Sequence, residues 1–288
     1  MNSTTDISAM IASADALAAT EPDEAARRYA AAMRADPANI TAHNALERLR
    51  APQAYGRWMR VNCVIDPRDD IFRFFANHQI AKNPIREYLS DGWRTLSELM
   101  VILETIDKPL LKTESVLEFA AGFGRFTRHL VRVATGRVTC TDVLPGSVEF
   151  LQEQFGVKSF PSTHDPLALN IPATYDLVIV LSMFTHLPPA MWQPWLKVLG
   201  KAVAPGGLLV FSVHNEVSSR EMGVSFDENG TRFLTSSESP SLDGEVYGTT
   251  CTTRSYVEAE IERAFGPSRS AYFPYAFWVG QDAVVVRF

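Results

Sequence analysis

The stretch "VLEFAAGFGRFTRHL" (116–130) sets an acidic residue and two glycines at the end of a short apolar run. Glu118 closes the run, Gly122 and Gly124 follow one residue apart, and the spacing then turns helical. Glycines in such a turn let the backbone approach a ligand and allow dihedrals that a side chain would block. A dinucleotide fingerprint would ask for a third glycine where Thr127 stands, and a pyrophosphate disfavours the negative charge of Glu118. An acidic strand end beside bare backbone suits a ligand that carries positive charge. Asp142 ends the next apolar run, 142 − 124 = 18 residues past the second glycine. That is close to the spacing of about 20 at which an acid grips ribose, and two carboxylate oxygens can accept both hydroxyls of one sugar. Asp165 in "THDPLALN" can accept an exocyclic amino group of adenine, with Pro166 and Leu167 against the ring, although Asp-Pro is also a plain turn.

Two histidines are placed for proton transfer. His186 in "SMFTHLP" and His214 in "SVHNE" each follow a predicted strand, on the side of an open sheet where ligands bind. Histidine is the side chain whose ordinary pKa suits a base at neutral pH. The bland alternatives are a loop-holding or helix-capping His186 and a satisfied loop His214. Asn215, Glu216 and Tyr247 are weaker candidates for contacting an acceptor. Arg125 and Arg128 follow the glycine turn; one can pair with a carboxylate, and Arg128 is expected on a solvated helix face. His43, His78 and His129 fall in helical contexts and read as packing or surface. No His/Asp cluster has metal-ligand spacing, so no metal is expected.

The elements that must position these residues are strands alternating with helices from Ser115 onward. Strands are predicted near 115–119, 137–142, 157–160, 175–181 and 207–213, with a closing pair near 269–274 and 282–288. Helices fall near 125–135, 146–155 and 190–203. "PGG" at 205–207 reads as a tight turn, and "YDLVIVLSMF" as a strand buried on both faces. The short "GQD" turn makes the last two strands a hairpin, so the final strand runs antiparallel to its partner. The fold class is therefore α/β, a doubly wound, mostly parallel seven-stranded sheet with an antiparallel C-terminal strand, preceded by an α-helical region.

That preceding region divides into residues 1–50, an Ala-rich helical hairpin, and 51–110, a helical cap or lid. The Ala25, Tyr29, Ala32 and Met33 face, stopped at Asp36-Pro37 and restarted at Ile40, resembles a degenerate tetratricopeptide helix pair. One and a half copies fall short of the roughly three repeats a solenoid needs. The main domain, 111–288, carries an insertion at about 214–262, too long for a bare loop and placed to act as a lid. Within it "SFDENGTRFLT" reads as a hairpin turning at Asn229-Gly230 and "RSYVEAEIERAF" as a helix.

The 288 residues carry a net charge of −6, which argues against a nucleic-acid partner. Three scattered cysteines without CxxC spacing fit a reducing compartment. The N-terminal "MNSTTDISAMIASADALAAT" lacks a secretory pattern, and no apolar run approaches the ~20 residues of a membrane span. A cytoplasmic protein without a membrane partner is expected.

In order and separation, these segments resemble the class I S-adenosylmethionine-dependent methyltransferases, which have a Rossmann-like fold. "EFAAGFG" is similar to their first motif, Asp142 to the ribose-binding acid and Asp165 to the adenine-contacting acid. "YDLVIVLSMFTHL" is similar to the fourth-strand motif, and "LGKAVAPGGLLVFSV" to the helix, turn and fifth strand. The resemblance implies S-adenosylmethionine as cofactor and S-adenosylhomocysteine as product. The methionyl part would lie over Ala120, Gly122 and the backbone near Ser182, with Glu118 toward the amino end. Phe119, Arg125 and Val143 complete the implied cofactor set. The implied activity is methyl transfer to a small polar, hydroxyl-bearing metabolite or saccharide, without metal and with His186 or His214 as base. The alternative is a scaffold that keeps the fold and recruits a protein partner, or a second copy, through its N-terminal helices. A nicotinamide oxidoreductase is disfavoured by Thr127 and the C-terminal hairpin. RNA or DNA as acceptor is disfavoured by "SMFT" after the fourth strand, where an Asn-Pro-Pro-aromatic tetrapeptide would stand.

Overall fold

The computed structural model describes residues 6–78, 81–267 and 269–288; the first five residues of the segment read for a leader lie outside these. The chain divides into two compact units, one ending at Asp91 and one spanning Gly92–Phe288.

In the first unit, α1 (Ile7–Asp15), α2 (Pro22–Ala35) and α3 (Ile40–Arg48) are followed by α4 (Tyr55–Met59) and α5 (Asp70–Asn77). Pro22 opens α2 at a position that needs no amide hydrogen, and Asp23 and Glu24 favour the positive end of its dipole. Ala14, Ala25, Tyr29, Ala32, Ala42 and Leu46 close a small-residue core between the first three helices. A second cluster joins Cys63, Ile65, Phe72, Tyr88 and Leu89. The long α6 (Pro84–Thr105) runs across the boundary between the units.

The second unit holds β1 (Val116–Phe119), β2 (Val138–Asp142), β3 (Lys158–Pro161), β4 (Tyr175–Val180), β5 (Val203–Val213), β6 (Thr231–Leu234), β7 (Thr249–Thr252), β8 (Arg269–Phe277) and β9 (Gln281–Arg287). Seven of these form one sheet in the order β3-β2-β1-β4-β5-β9-β8. The strands from β3 to β5 pair in parallel, and β9 is antiparallel to both β5 and β8. Helices α7 (Thr127–Val133), α8 (Ser147–Phe155), α9 (Pro189–Lys201), α10 (Glu216–Glu221) and α11 (Arg254–Phe265) complete the unit.

Alternation along β1 sorts its side chains between two cores. Val116 packs with Leu99, Leu103, Phe126 and Leu130 on one face, and Leu117 and Phe119 pack with Trp192, Trp195 and Leu196 on the other. The strand order reverses direction between β1 and β4, so the carboxyl ends of these strands flank the switch point where an open α/β sheet binds ligands.

Two expectations in the insertion and its approach are corrected. The "PGG" turn lies inside β5, as a break in its pairing with β4 between Tyr175 and Leu177. Asn229-Gly230 does not close a hairpin. Asp227 Oδ1 accepts from the backbone N–H of Asn229 and Thr231, and β6 pairs instead with the distant β7. Strand β7 then fastens the insertion to the sheet top: Thr250 N–H donates to the Thr185 carbonyl at 2.7 Å and Thr252 N–H to that of His214 at 3.0 Å.

Helix α6 meets the turn after β1 through Gly92. A Cβ there would stand 2.0 Å from the Arg125 carbonyl oxygen and 2.9 Å from His129 Cδ2. By helix propensity alone, Gly92→Ala would stabilise the protein by about 1 kcal/mol. Backbone cannot yield as a flexible side chain does, so the contact outweighs that gain. The substitution is expected to destabilise by about 1–3 kcal/mol, read as a lower urea midpoint at unchanged m-value.

Candidate active site

The glycine turn is built from left-handed residues: Ala120 at φ 58°, Gly122 at 56° and Gly124 at 79°. A Cβ on Gly122 would meet nothing within 4 Å, so its backbone borders open space. A Cβ on Gly124 would stand 2.4 Å from Phe155 Cε2, so that glycine serves the packing of α8. Gly122 N–H donates to Asp142 Oδ2 at 2.6 Å, and Leu144 N–H donates to Asp142 Oδ1 at 2.8 Å. The carboxylate that ends β2 thus holds the turn that follows β1, and Val143 is half-buried beside it.

Thr127 occupies the place of the missing third glycine, and its hydroxyl donates to Glu118 Oε2 at 2.7 Å. Glu118 is 3% exposed, so it is no solvated strand end. Burial pushes its carboxyl up to about 8, against the Thr127 hydrogen bond, the Arg125 charge and the Cys140 thiol, all of which favour the ionised form. Phe119 turns its ring into the core against Trp195, which leaves only its backbone to the cleft.

Arg125 is buried and lies over the Trp278 ring at 4.6 Å, with the Trp278 backbone N–H donating to Glu98 Oε2. Arg128, expected on a solvated face, is fully buried: its Nε donates to the Gly124 carbonyl at 3.0 Å and its guanidinium covers Phe155. The glycine turn therefore rests on a guanidinium. Asp165 is exposed and accepts from Leu167 N–H at 2.9 Å, capping a short 3-10 turn that leaves Leu167 85% exposed. Ser182 at the top of β4 has φ 57°; its N–H donates to Ser212 Oγ at 2.8 Å, and Gln281 Nε2 donates to its hydroxyl at 3.2 Å.

The structure brings His186, His214 and Tyr247 together. Tyr247 stacks on His186 with ring centroids 4.4 Å apart, and the two histidine rings are 6.1 Å apart. His186 is buried, with Nδ1 at 2.6 Å from the Gly248 carbonyl and Nε2 at 3.0 Å from Glu238 Oε1. Burial opposes ionisation of Glu238, but its bond to His186 and the His186 charge outweigh that and hold the carboxyl below its ordinary value. His214 Nδ1 faces the Thr250 carbonyl at 3.3 Å, and burial followed by the His186 charge lowers its pKa to about 4. It is thus neutral at physiological pH, a weaker base than an unperturbed histidine.

Asn215 is not placed to touch an acceptor. Its Oδ1 caps α10 by accepting from Val217 and Ser218 N–H, and its Nδ2 donates to Asp282 Oδ1 and the Gly280 carbonyl. Thr127, Ser212, Glu238 and Gln281 were not singled out as site residues in the sequence. Thr127 carried a readable signal, as the polar residue at an expected glycine; the other three belong to contacts between distant segments. Among the described residues no group of three His, Cys, Asp or Glu side chains is placed to hold a metal ion, and no helix is long and apolar enough to cross a membrane.

A parallel sheet reversing between β1 and β4, a glycine turn held by the β2 acid and an antiparallel β9 define the Rossmann-like methyltransferase architecture. Residues 116–207 match the family model described as a methyltransferase domain. Among solved structures, an S-adenosylmethionine-dependent methyltransferase from Clostridium acetobutylicum ATCC 824 superposes with a TM-score of 0.51 at 14% identity, covering 69% of this chain and 92% of that one. Streptomyces venezuelae DesVI superposes with a TM-score of 0.51 at 11% identity, covering 77% and 98%. At these identities both are likenesses of fold. No curated protein matches the sequence. Residues 116–207 thus combine the match to a methyltransferase domain with a Rossmann-like methyltransferase fold.

Two stability profiles follow from the site. Glu118 has its folded pKa raised, so its contribution is fully present below the unfolded value of 4.5 and is lost as pH rises through about 8. Glu118→Gln keeps a partner for Thr127 and is expected to be more stable than wild type above pH 8 by about 1–4 kcal/mol, with the advantage gone near pH 4.5; urea unfolding across pH 4.5–9 measures it. His214 has its folded pKa depressed, so its contribution is present above 6.5 and is lost as pH falls through about 4. His214→Gln is expected to flatten the fall of the melting temperature between pH 6.5 and 4.

Proposed function

We propose that this domain transfers a methyl group from S-adenosylmethionine to a hydroxyl oxygen of a small polar metabolite or saccharide, in the cleft beyond β1, β2, β4 and β5. The observation that carries the reading is the open backbone at Gly122 joined to the Asp142 carboxylate. When bound, the cofactor supplies a methyl group made electrophilic by its sulfonium. Asp142 binds the ribose: its carboxylate ends β2 beside the open Gly122 backbone, where its two oxygens can accept from sugar hydroxyls. Ala120, Gly122, Val143 and Ser182 line the methionyl and ribose course with backbone, and the Glu118 carboxyl, raised by burial, would be drawn toward its ionised form by a cationic ligand. Asp165 takes the adenine amino group, with the exposed Leu167 against the ring.

The acceptor enters from the insertion side. Fastened by β7 to the loops after β4 and β5, the insertion brings Tyr247 and Glu238 to the two histidines and lets them exclude water. Neutral imidazole and polar surroundings favour a hydroxyl over an apolar acceptor.

Calorimetry with S-adenosylmethionine tests the donor half. Asp142→Ala is expected to weaken binding by about 1–3 kcal/mol, and an unchanged dissociation constant would remove the ribose assignment. Labelled methyl donor with a panel of hydroxylated and amino metabolites tests the acceptor half, with incorporation expected on oxygen; incorporation on nitrogen alone would overturn that part.

A further inference from the structure

Glu238 of the insertion is half-buried, its side chain 18% exposed, and stands against His186. Resting on the methyl-transfer reading above, we propose that Glu238 is a positioning residue that holds His186 doubly hydrogen-bonded in the wall of the acceptor pocket, leaving His214 Nε2 to take the acceptor's proton. A carbonyl oxygen can only accept, so His186 Nδ1, at 2.6 Å from the Gly248 carbonyl, carries a hydrogen. An ionised carboxylate also only accepts, so Nε2, at 3.0 Å from Glu238, carries one too. Both nitrogens of His186 are thus engaged, one at a backbone carbonyl and one at a carboxylate, and neither is left for an acceptor. Tyr247, stacked at 21° on the ring, blocks its rotation, and Gly248 belongs to the same segment that anchors at His186 through Gly248 N–H to the His186 carbonyl.

His214 is arranged the other way. Its Nδ1–H faces the Thr250 carbonyl, and no other described residue bonds its ring, so Nε2 bears the lone pair. The titratable groups facing His214 are His186 and Glu238, with Tyr247 stacked on His186, and burial first and His186 next hold the His214 pKa down at about 4. The base form of His214 is therefore present across the physiological range. In the step served, a lone pair of the acceptor oxygen forms the O–C bond as the methyl C–S bond breaks, and the pair of that bond stays on sulfur. The hydroxyl proton passes to His214 Nε2 and then to water. Positive charge leaves the donor as it arrives on His214, so the cleft's net charge is unchanged.

Nitrogen-15 NMR of histidine-labelled full-length protein, with and without S-adenosylmethionine, tests this together with turnover on an acceptor from the panel. Expected at pH 7.5 are two protonated-type signals for His186, and one protonated and one bare nitrogen for His214. In Glu238→Gln, His186 Nε2 is expected to shift to the bare type, kcat to fall tenfold or more, and the calorimetric Kd for S-adenosylmethionine to stay as in wild type. A bare nitrogen on wild-type His186, or a Glu238→Gln enzyme with wild-type kcat, overturns the proposal. Failure of wild type to bind S-adenosylmethionine would instead remove the donor reading, and the free-protein signals would still decide whether Glu238 clamps His186. Glu238→Asp provides a second variant should the glutamine form fail to fold, with His186 signals between the two extremes expected.

Discussion

The bond from Gly122 N–H to the Asp142 carboxylate is the constraint on which the cleft depends. The turn after β1 passes three times through left-handed backbone, once at Ala120, where a side chain makes that conformation cost about 1–2 kcal/mol. The bonds that hold it there come from β2: Ala121 N–H donates to the Thr141 carbonyl and Gly122 N–H to the side chain one residue on. The same carboxylate holds Leu144 N–H at the start of the next loop. One acid thus sets the spacing between two strand ends.

Around that bond the domain buries more charge than a structural core would. Arg128 is fully buried against Phe155, Arg125 lies over the Trp278 ring, and Glu118 sits beneath the turn with only neutral direct partners. Each burial opposes ionisation and must be offset by hydrogen bonds or rings. The offset is incomplete at Glu118, whose carboxyl is raised to about 8. A positive group brought beside it would lower it again.

How much of this could be read from the chain depended on the range of the interactions. Strand starts such as Val116 and Val138 were expected to within a residue, because period and flanking glycines are local signals; the antiparallel β9 was expected too, although its turn is Trp278–Gly280 and Gln281 and Asp282 of the expected "GQD" turn already belong to the strand. The Asp142 spacing was legible for the same reason. Arg128 was misplaced because helical periodicity does not reveal that its guanidinium reaches back to a carbonyl four residues earlier. Asn229-Gly230 looked like a hairpin, but Asp227 had already claimed those amides, and the pairing partner of β6 lay beyond a loop with no periodic signal. The partner of His186 is 238 − 186 = 52 residues away, on an irregular segment that no pattern in either neighbourhood announces.

That difference in range has a functional counterpart. The segment matching the methyltransferase family model stops at residue 207, after the turn, the β2 acid and the strand-four loop. His214, Glu238, Tyr247 and the β7 strand that docks them all lie beyond it. A donor common to many enzymes can be held by local, recurring geometry at strand ends, whereas an acceptor peculiar to one must be met by side chains drawn from an individual insertion. The insertion reaches the sheet through main-chain bonds to the carbonyls of Thr185, His186 and His214, which depend on no particular side chain. It can therefore change its exposed side chains without losing its place on the sheet.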